Sequence, residues 1–257
     1  MKELQRIAIA SEQIENNHIN LTSEQNHYLT RVLRLKKGGK FIAIAPESQW
    51  LLVTLKDDLN QGEIEEILTI NKELPRDIIL IVALPKNGFD DIVRQTTEIG
   101  VNTIIPVISE RTLLKPSKEK ILRWQKIAQE ASEQSERQMI PQILEPMSFK
   151  ESLKLFPDIN QYICVTRGNY PHLLTCMQQK YDNMNKEQIP LPIIIAIGTE
   201  GGWSDQEVNL AIEHGFQPVS LGKRILRTVT APLVALSIIV SQIEVNNNVP
   251  TVGCIRR

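Results

Sequence analysis

Residues 198–205 read GTEGGWSD and residues 221–232 read LGKRILRTVTAP. Each stretch follows a compact apolar run and precedes a helical pattern. That places two tight loops at the ends of neighbouring strands, where open α/β sheets bind ligands. Gly198, Gly201 and Gly202 bare the backbone of the first loop, so a ligand can lie on main-chain N–H and C=O groups. An ordinary strand-to-helix turn needs one glycine or two; on composition alone an ordinary turn and a ligand loop both stay open. Ser204 with Glu207 three residues on forms a capping box, which starts a helix at Asp205 that ends before Gly215. In the second stretch KRILRT alternates cationic and apolar residues without settling into helix or strand. Ile225 and Leu226 can form an apolar floor while Arg227 points elsewhere, a surface salt bridge being the alternative for that arginine. Pro232 then falls in the first turn of the last helix, where its missing N–H does no harm.

Working outward, the runs IILIVAL (78–84), TIIPVI (103–108), YICVT (162–166), PIIIAI (192–197) and PVSL (218–221) are short and rich in β-branched residues. Such near-continuous apolar strands indicate a mostly parallel sheet covered on both faces. Helical patterns fall between them. Phe89, Ile92, Val93, Thr96 and Ile99 share one face of a helix closed by Gly100, and Ile121, Trp124, Ile127, Ala128 and Ala131 do so after Ser117. The last helix, from about Pro232 to Ile243, is apolar almost all round and so must be covered on two sides, one of them open to a second subunit. The polar segment 167–190 predicts only a helix around 170–181.

Before the turn NKELPRD (71–77) the grammar differs. RIAIA (6–10), KFIAIAP (40–46), WLLVTL (50–55) and GEIEEIL (62–68) read as short strands of a small β-barrel with one helix. Ser23 is the expected N-cap for residues 24–33, with Leu29, Val32 and Leu33 inside and His27, Arg31 and Arg34 at i, i+4 and i+7 outside. The expected domains are residues 1–72 and 73–257.

The chain has 257 residues, 42% of them apolar and only 5% aromatic, a composition that suits a large aliphatic core rather than disorder. A formal net charge of −1 excludes a wholesale nucleic-acid coat, because counterion release needs many clustered cations. RNA contact must come from local patches: Arg31, Arg34, Lys36, Lys37 and Lys40, or Lys223, Arg224 and Arg227. Cys164, Cys176 and Cys254 have no CxxC spacing and read as reduced structural thiols, with no metal expected. MKELQRIAIASEQ lacks a signal-peptide core, and the longest apolar stretch (231–243) is too short to span a bilayer, so a soluble cytoplasmic protein with no membrane partner is expected. A Rossmann-type nucleotide enzyme is disfavoured, since 78–84 leads into LPKNGFDD without G-x-G-x-x-G.

EGGWS followed by LGKRILRT resembles the paired C-terminal loops of SPOUT-superfamily methyltransferases, in particular the RsmE family of 16S rRNA uracil-N3 methyltransferases. HYLTRVLRLKKG (27–38) is similar to that family's PUA-like N-terminal barrel, LPKNGFDDIVRQTTEIGV (84–101) to its first methyltransferase helix, and EASEQSERQMIP (130–141) to its EAxEQxxR segment. The resemblance implies an α/β SPOUT fold with a mostly parallel sheet and a C-terminal trefoil knot, a homodimer, S-adenosyl-L-methionine as cofactor, and 16S rRNA of the small ribosomal subunit as partner. It implies a cofactor site made of Thr166, Ile197, Gly198, Glu200, Gly201, Gly202, Leu221, Gly222, Ile225, Leu226, Arg227, Thr228 and Thr230. Arg227 is the expected catalytic group, a fixed cation able to steady a uracil anion but unable to act as base. His27, Arg31, Arg34, Arg111 and Arg137 are the expected RNA contacts. Two positions depart from the family: Thr199 stands where it usually has Pro, and Val229 where it usually has Glu. A non-catalytic RNA-binding assembly factor that keeps the fold is the alternative reading.

Overall fold

The computed structural model describes residues 4–46, 48–69, 72–112, 116–156, 160–182 and 191–246, so Cys254 lies outside the described residues. The chain divides into two compact units. One takes in the residues up to Glu73 together with Ala128–Ile140, the other Leu74–Ile127 and the residues from Pro141 on. A single cut near residue 72 leaves out 128–140, which carries the buried ion-pair partner of Glu73.

In the first unit β1 (Arg6–Ala8), β2 (Ile14–Glu15) and β3 (His18–Asn20) lead to α1 (Ser23–His27), and β4 (Lys40–Ala45), β5 (Gln49–Leu55) and β6 (Gln61–Leu68) follow. The six strands lie in the order β1-β4-β5-β6-β3-β2, antiparallel except for β1 beside β4. Ile19, Leu29, Phe41 and Val53 pack in one core cluster. β2 and β3 are too short and polar to stand out from sequence. The helix also differs from expectation. Its N-cap is Thr22, whose Oγ1 accepts from Gln25 N–H at 3.2 Å while Gln25 Oε1 accepts from Thr22 N–H at 2.8 Å. A wider π-type turn over Tyr28–Val32 continues it. That turn rotates Val32 out to 58% exposure while Leu29 stays buried.

The expected RNA contact Arg137 lies inside the first unit, 5% exposed, where its guanidinium pairs with Glu73 at 2.7 Å and its carbonyl accepts from Trp50 Nε1 at 3.2 Å. Glu73 Oε1 also accepts from the backbone N–H of Gln138 and Met139. A guanidinium paired in this way organises the chain around Glu73.

The second unit runs β7 (Ile78–Ala83), α2 (Phe89–Ile99), β8 (Thr103–Ile108), α3 (Lys118–Ser135, shared with the first unit), β9 (Gln142–Ile143), β10 (Met147–Ser148), α4 (Phe149–Ser152), β11 (Asn160–Cys164), α5 (Leu173–Asp182), β12 (Ile193–Ile197), α6 (Asp205–Glu213), β13 (Gln217–Val219) and α7 (Ala231–Asn246). The sheet is parallel throughout, ordered β10-β8-β7-β12-β11-β13, with β9 also on β8. Every residue of β7 and β12 is buried, as central strands covered on both faces require. α7 packs against α2, α5 and β12. This is the α/β fold of SPOUT type that the sequence predicts. Among the described residues no helix is long and apolar enough to cross a membrane, and no group of His, Cys, Asp and Glu could hold a metal ion.

Candidate active site

Three parallel strands end side by side, and their C-terminal loops build one cleft. β12 sits between β7 and β11, and β13 lies on the far edge of β11. Pairing runs past the strand ends: Val165 N–H donates to Val219 O at 2.9 Å, and Leu173 N–H to Ser220 O at 3.0 Å. The loop after β12 turns at once, with Gly202 N–H donating to Thr199 O at 2.8 Å. A side chain at Gly198 would crowd this turn, since a Cβ on it would lie 3.0 Å from the Gly202 carbonyl carbon and 3.1 Å from Trp203 N. Trp203 anchors the far side of the loop by stacking on Phe149, ring centroids 4.2 Å apart.

Glu207 fixes this loop to the one after β8. It completes the capping box with Ser204, and its buried carboxylate accepts from Ser204 N–H through Oε2 and from Glu110 N–H through Oε1, both at 2.9 Å. The neighbouring Arg111 donates to the carbonyl of Gly201. The expected RNA contact Arg111 is therefore placed as a clamp on the glycine loop. After β13, Gly222 N–H donates to Ser220 Oγ at 3.1 Å, and the Arg227 carbonyl accepts from both Thr230 and Ala231 N–H at 2.9 Å, which starts α7. The backbone of Arg227 is thus held in a turn while its side chain is exposed.

Of the expected cofactor residues, the cleft is lined by Thr166, Ile197, Gly198, Gly202, Leu221, Gly222, Leu226 and Thr228. Glu200, Gly201, Ile225, Arg227 and Thr230 do not line it. Ile225 is 68% exposed at the loop tip rather than on an apolar floor. Cys164, Val165, Thr199, Arg224 and Ala231 join the wall without having been expected. The readable signal for the first two was the strand end itself, because the last residues of YICVT all reach the same edge. Burial pushes the Cys164 thiol up, so it serves as an apolar wall and not as a nucleophile. Val229 is half-buried against Gly88, which makes position 229 a packing position in this chain.

The cleft is narrow. It encloses about 40 Å³, and the empty space reaches about 480 Å³ only when the open mouth is counted. Sites for small molecules and cofactors run to about 300–1,000 Å³, a range this cleft reaches only with its open mouth included. In the first unit His27, Arg31 and Arg34 are all exposed.

The family described as RNA methyltransferase domain matches residues 72–240. The ribosomal RNA small subunit methyltransferase E of a Synechocystis species is 44% identical over 244 residues, covering 93% of this chain and 78% of the relative. The Bacillus subtilis protein of the same name is 31% identical over 248 residues, covering 93% and 96%. Among solved structures, the Neisseria gonorrhoeae protein of that name bound to S-adenosyl methionine superposes with a TM-score of 0.79 at 28% identity, over 93% of this chain and 98% of that one. At this identity and coverage, the chain belongs to the ribosomal RNA small subunit methyltransferase E family.

Proposed function

We propose that this chain methylates N3 of a specific uridine in the 16S rRNA of the small ribosomal subunit, with S-adenosylmethionine as donor. The observation that carries the reading is the cleft at the ends of β11, β12 and β13, built from both motif loops, in a chain whose relative of the same fold is solved with that donor. The residues present fit such a group. Val165, Ile197, Leu221 and Leu226 offer apolar walls, and Thr199 and Thr228 carry buried hydroxyls with no hydrogen-bond partner among the described residues. The bound sulfonium would supply an already activated methyl group.

What the protein must add is alignment and charge. Uracil N3 loses its proton roughly two units above neutral pH, so exposing the nucleophilic anion costs about 2.7 kcal/mol. The exposed guanidinium of Arg227 steadies the uracil anion as it forms. The Arg227 carbonyl fixes the turn into α7, so the side chain starts from a defined backbone position. Arg224, on the cleft wall, and Lys223 add cations for phosphate.

The fuller architecture belongs to the same proposal. A trefoil knot is supported by the path of the chain, which runs to the edge strand β13 and then returns through 220–230 so that α7 packs on β12. A homodimer is supported by Leu233, Val234, Ile238 and Val240, apolar residues of α7 left only partly buried. The first unit acts as a PUA-like RNA-binding barrel, His27, Arg31 and Arg34 contacting phosphate. Mass mapping of 16S rRNA from cells lacking this chain tests the reading: one N3-methyluridine should disappear and return on complementation. An unchanged map, with no donor binding by calorimetry, would leave the non-catalytic RNA-binding reading instead.

A further inference from the structure

We infer that the side-chain hydroxyl of Thr199 is a direct hydrogen-bond contact for the methyl donor, an inference that rests on the donor-binding reading of the cleft above. Thr199 lines the cleft at 8% exposure, and its Oγ1 is sealed from solvent with no partner among the described residues. Thr228, at 4% exposure, is in the same state on the other loop.

A hydroxyl buried without a partner is costly, and a native structure rarely keeps one without use for it. Three other buried hydroxyls of this unit obey that rule. Thr96 Oγ1 donates to Ile92 O at 2.7 Å, Thr97 Oγ1 to Val93 O at 2.7 Å, and Ser152 Oγ to Phe149 O at 2.7 Å. Among the described residues of the second unit, the buried serine and threonine hydroxyls left without a partner are those of Thr199 and Thr228, and both stand on the cleft wall. Gln161 Oε1 and Trp203 Nε1 are also buried without a partner among the described residues of this unit, but they lie off the cleft, whereas both unpartnered hydroxyls belong to residues of its wall, where a bound ligand is the available partner. The backbone of Thr199 is already committed, its carbonyl closing the turn onto Gly202. The side chain is thus delivered to a fixed place.

Isothermal calorimetry with S-adenosylmethionine on the full chain tests the assignment, using Thr199→Val to remove the hydroxyl at constant shape and Thr199→Ser to keep it. The Val variant should bind about 5–10-fold more weakly, as expected for one lost hydrogen bond, and the Ser variant within about twofold of the parent. Without donor, the Val variant should melt no earlier than the parent, since it exchanges an unpaired hydroxyl for a methyl group. Parental affinity in the Val variant overturns the inference and leaves the donor site standing. A lower donor-free Tm in that variant overturns it too, by revealing a structural partner for the hydroxyl. If the parent itself binds no donor, the reading of the cleft and this contact fall together.

Discussion

Val229 stands directly over Gly88: a Cβ on Gly88 would approach Val229 Cγ1 to 2.6 Å, and Gly88 itself has φ 84°. The loop that opens α2 is therefore keyed to the loop that precedes α7. Gly88→Ala meets two penalties, a left-handed backbone worth about 1–2 kcal/mol for a residue with a side chain and a steric clash. Urea denaturation should show the loss, and calorimetry should show weaker donor binding as the 221–230 loop shifts. Adding Val229→Ala should recover the clash but leave the backbone penalty. Equal stability of Gly88→Ala and the parent would contradict this packing.

Arg227, with its carbonyl fixed and its side chain exposed, is the residue proposed above to steady the uracil anion. Arg227→Ala should lower kcat for methyl transfer by about 10²–10³, the range for losing one oriented donor to a developing anion. Donor affinity should stay within about twofold, because the residue does not line the cleft. Full activity in this variant would remove Arg227 from the mechanism.

The sheet was legible because its strands are buried on both faces, which writes continuous apolar runs into β7, β8 and β12. The two site loops were legible from their glycines and from Ser204 with Glu207. Less legible was anything that depends on which way a side chain turns. Arg111 and Arg137 read as free cations, yet one clamps a carbonyl and the other is buried on Glu73. Charge is visible in a sequence; its partner, here 64 or 90 residues away, is not. Thr199 was read only as a missing proline, since burial of its hydroxyl is a tertiary property. The π-type turn at Tyr28–Val32 hides for the same reason, as nothing in YLTRV opposes an ordinary helix.

Arg31 and Arg34 are exposed, and no hydrogen bond or ion pair engages either among the described residues. If they touch two phosphates, Arg31→Ala with Arg34→Ala should reduce the slope of log K against log salt by about 1.4–1.8. Binding should weaken without change of sequence preference. Salt titrations of RNA binding read the slope directly, and an unaltered slope would take this surface out of the interface.

Arg137 should behave in the opposite way. Removing it strands the Glu73 carboxylate among buried neighbours, so Arg137→Ala should cost about 3–5 kcal/mol of stability. The folded protein should keep the parental salt slope for RNA. Denaturant midpoints and salt titrations together separate this structural role from an RNA contact, which would reverse the pair of outcomes.

Glu133 gives the first unit a pH dependence of definite sign. Burial raises its pKa, helped by Glu130 and Glu24, against the lowering effect of hydrogen bonds from Ala8 N–H and Gln129. The Ala8 N–H donates to Oε1 at 2.7 Å. A carboxyl whose folded pKa lies above its unfolded value holds its proton more tightly in the native state. Its contribution is fully present below the ordinary glutamate pKa and is lost as pH rises through the raised value. Glu133→Gln keeps an oxygen for the Ala8 N–H but cannot titrate, so it should gain stability over the parent at about pH 8 and lose that advantage near about pH 4. Urea midpoints at the two pH values measure the difference. A parent that outlasts the variant at the higher pH would mean that the charged carboxylate, and not its proton, is what the fold prefers.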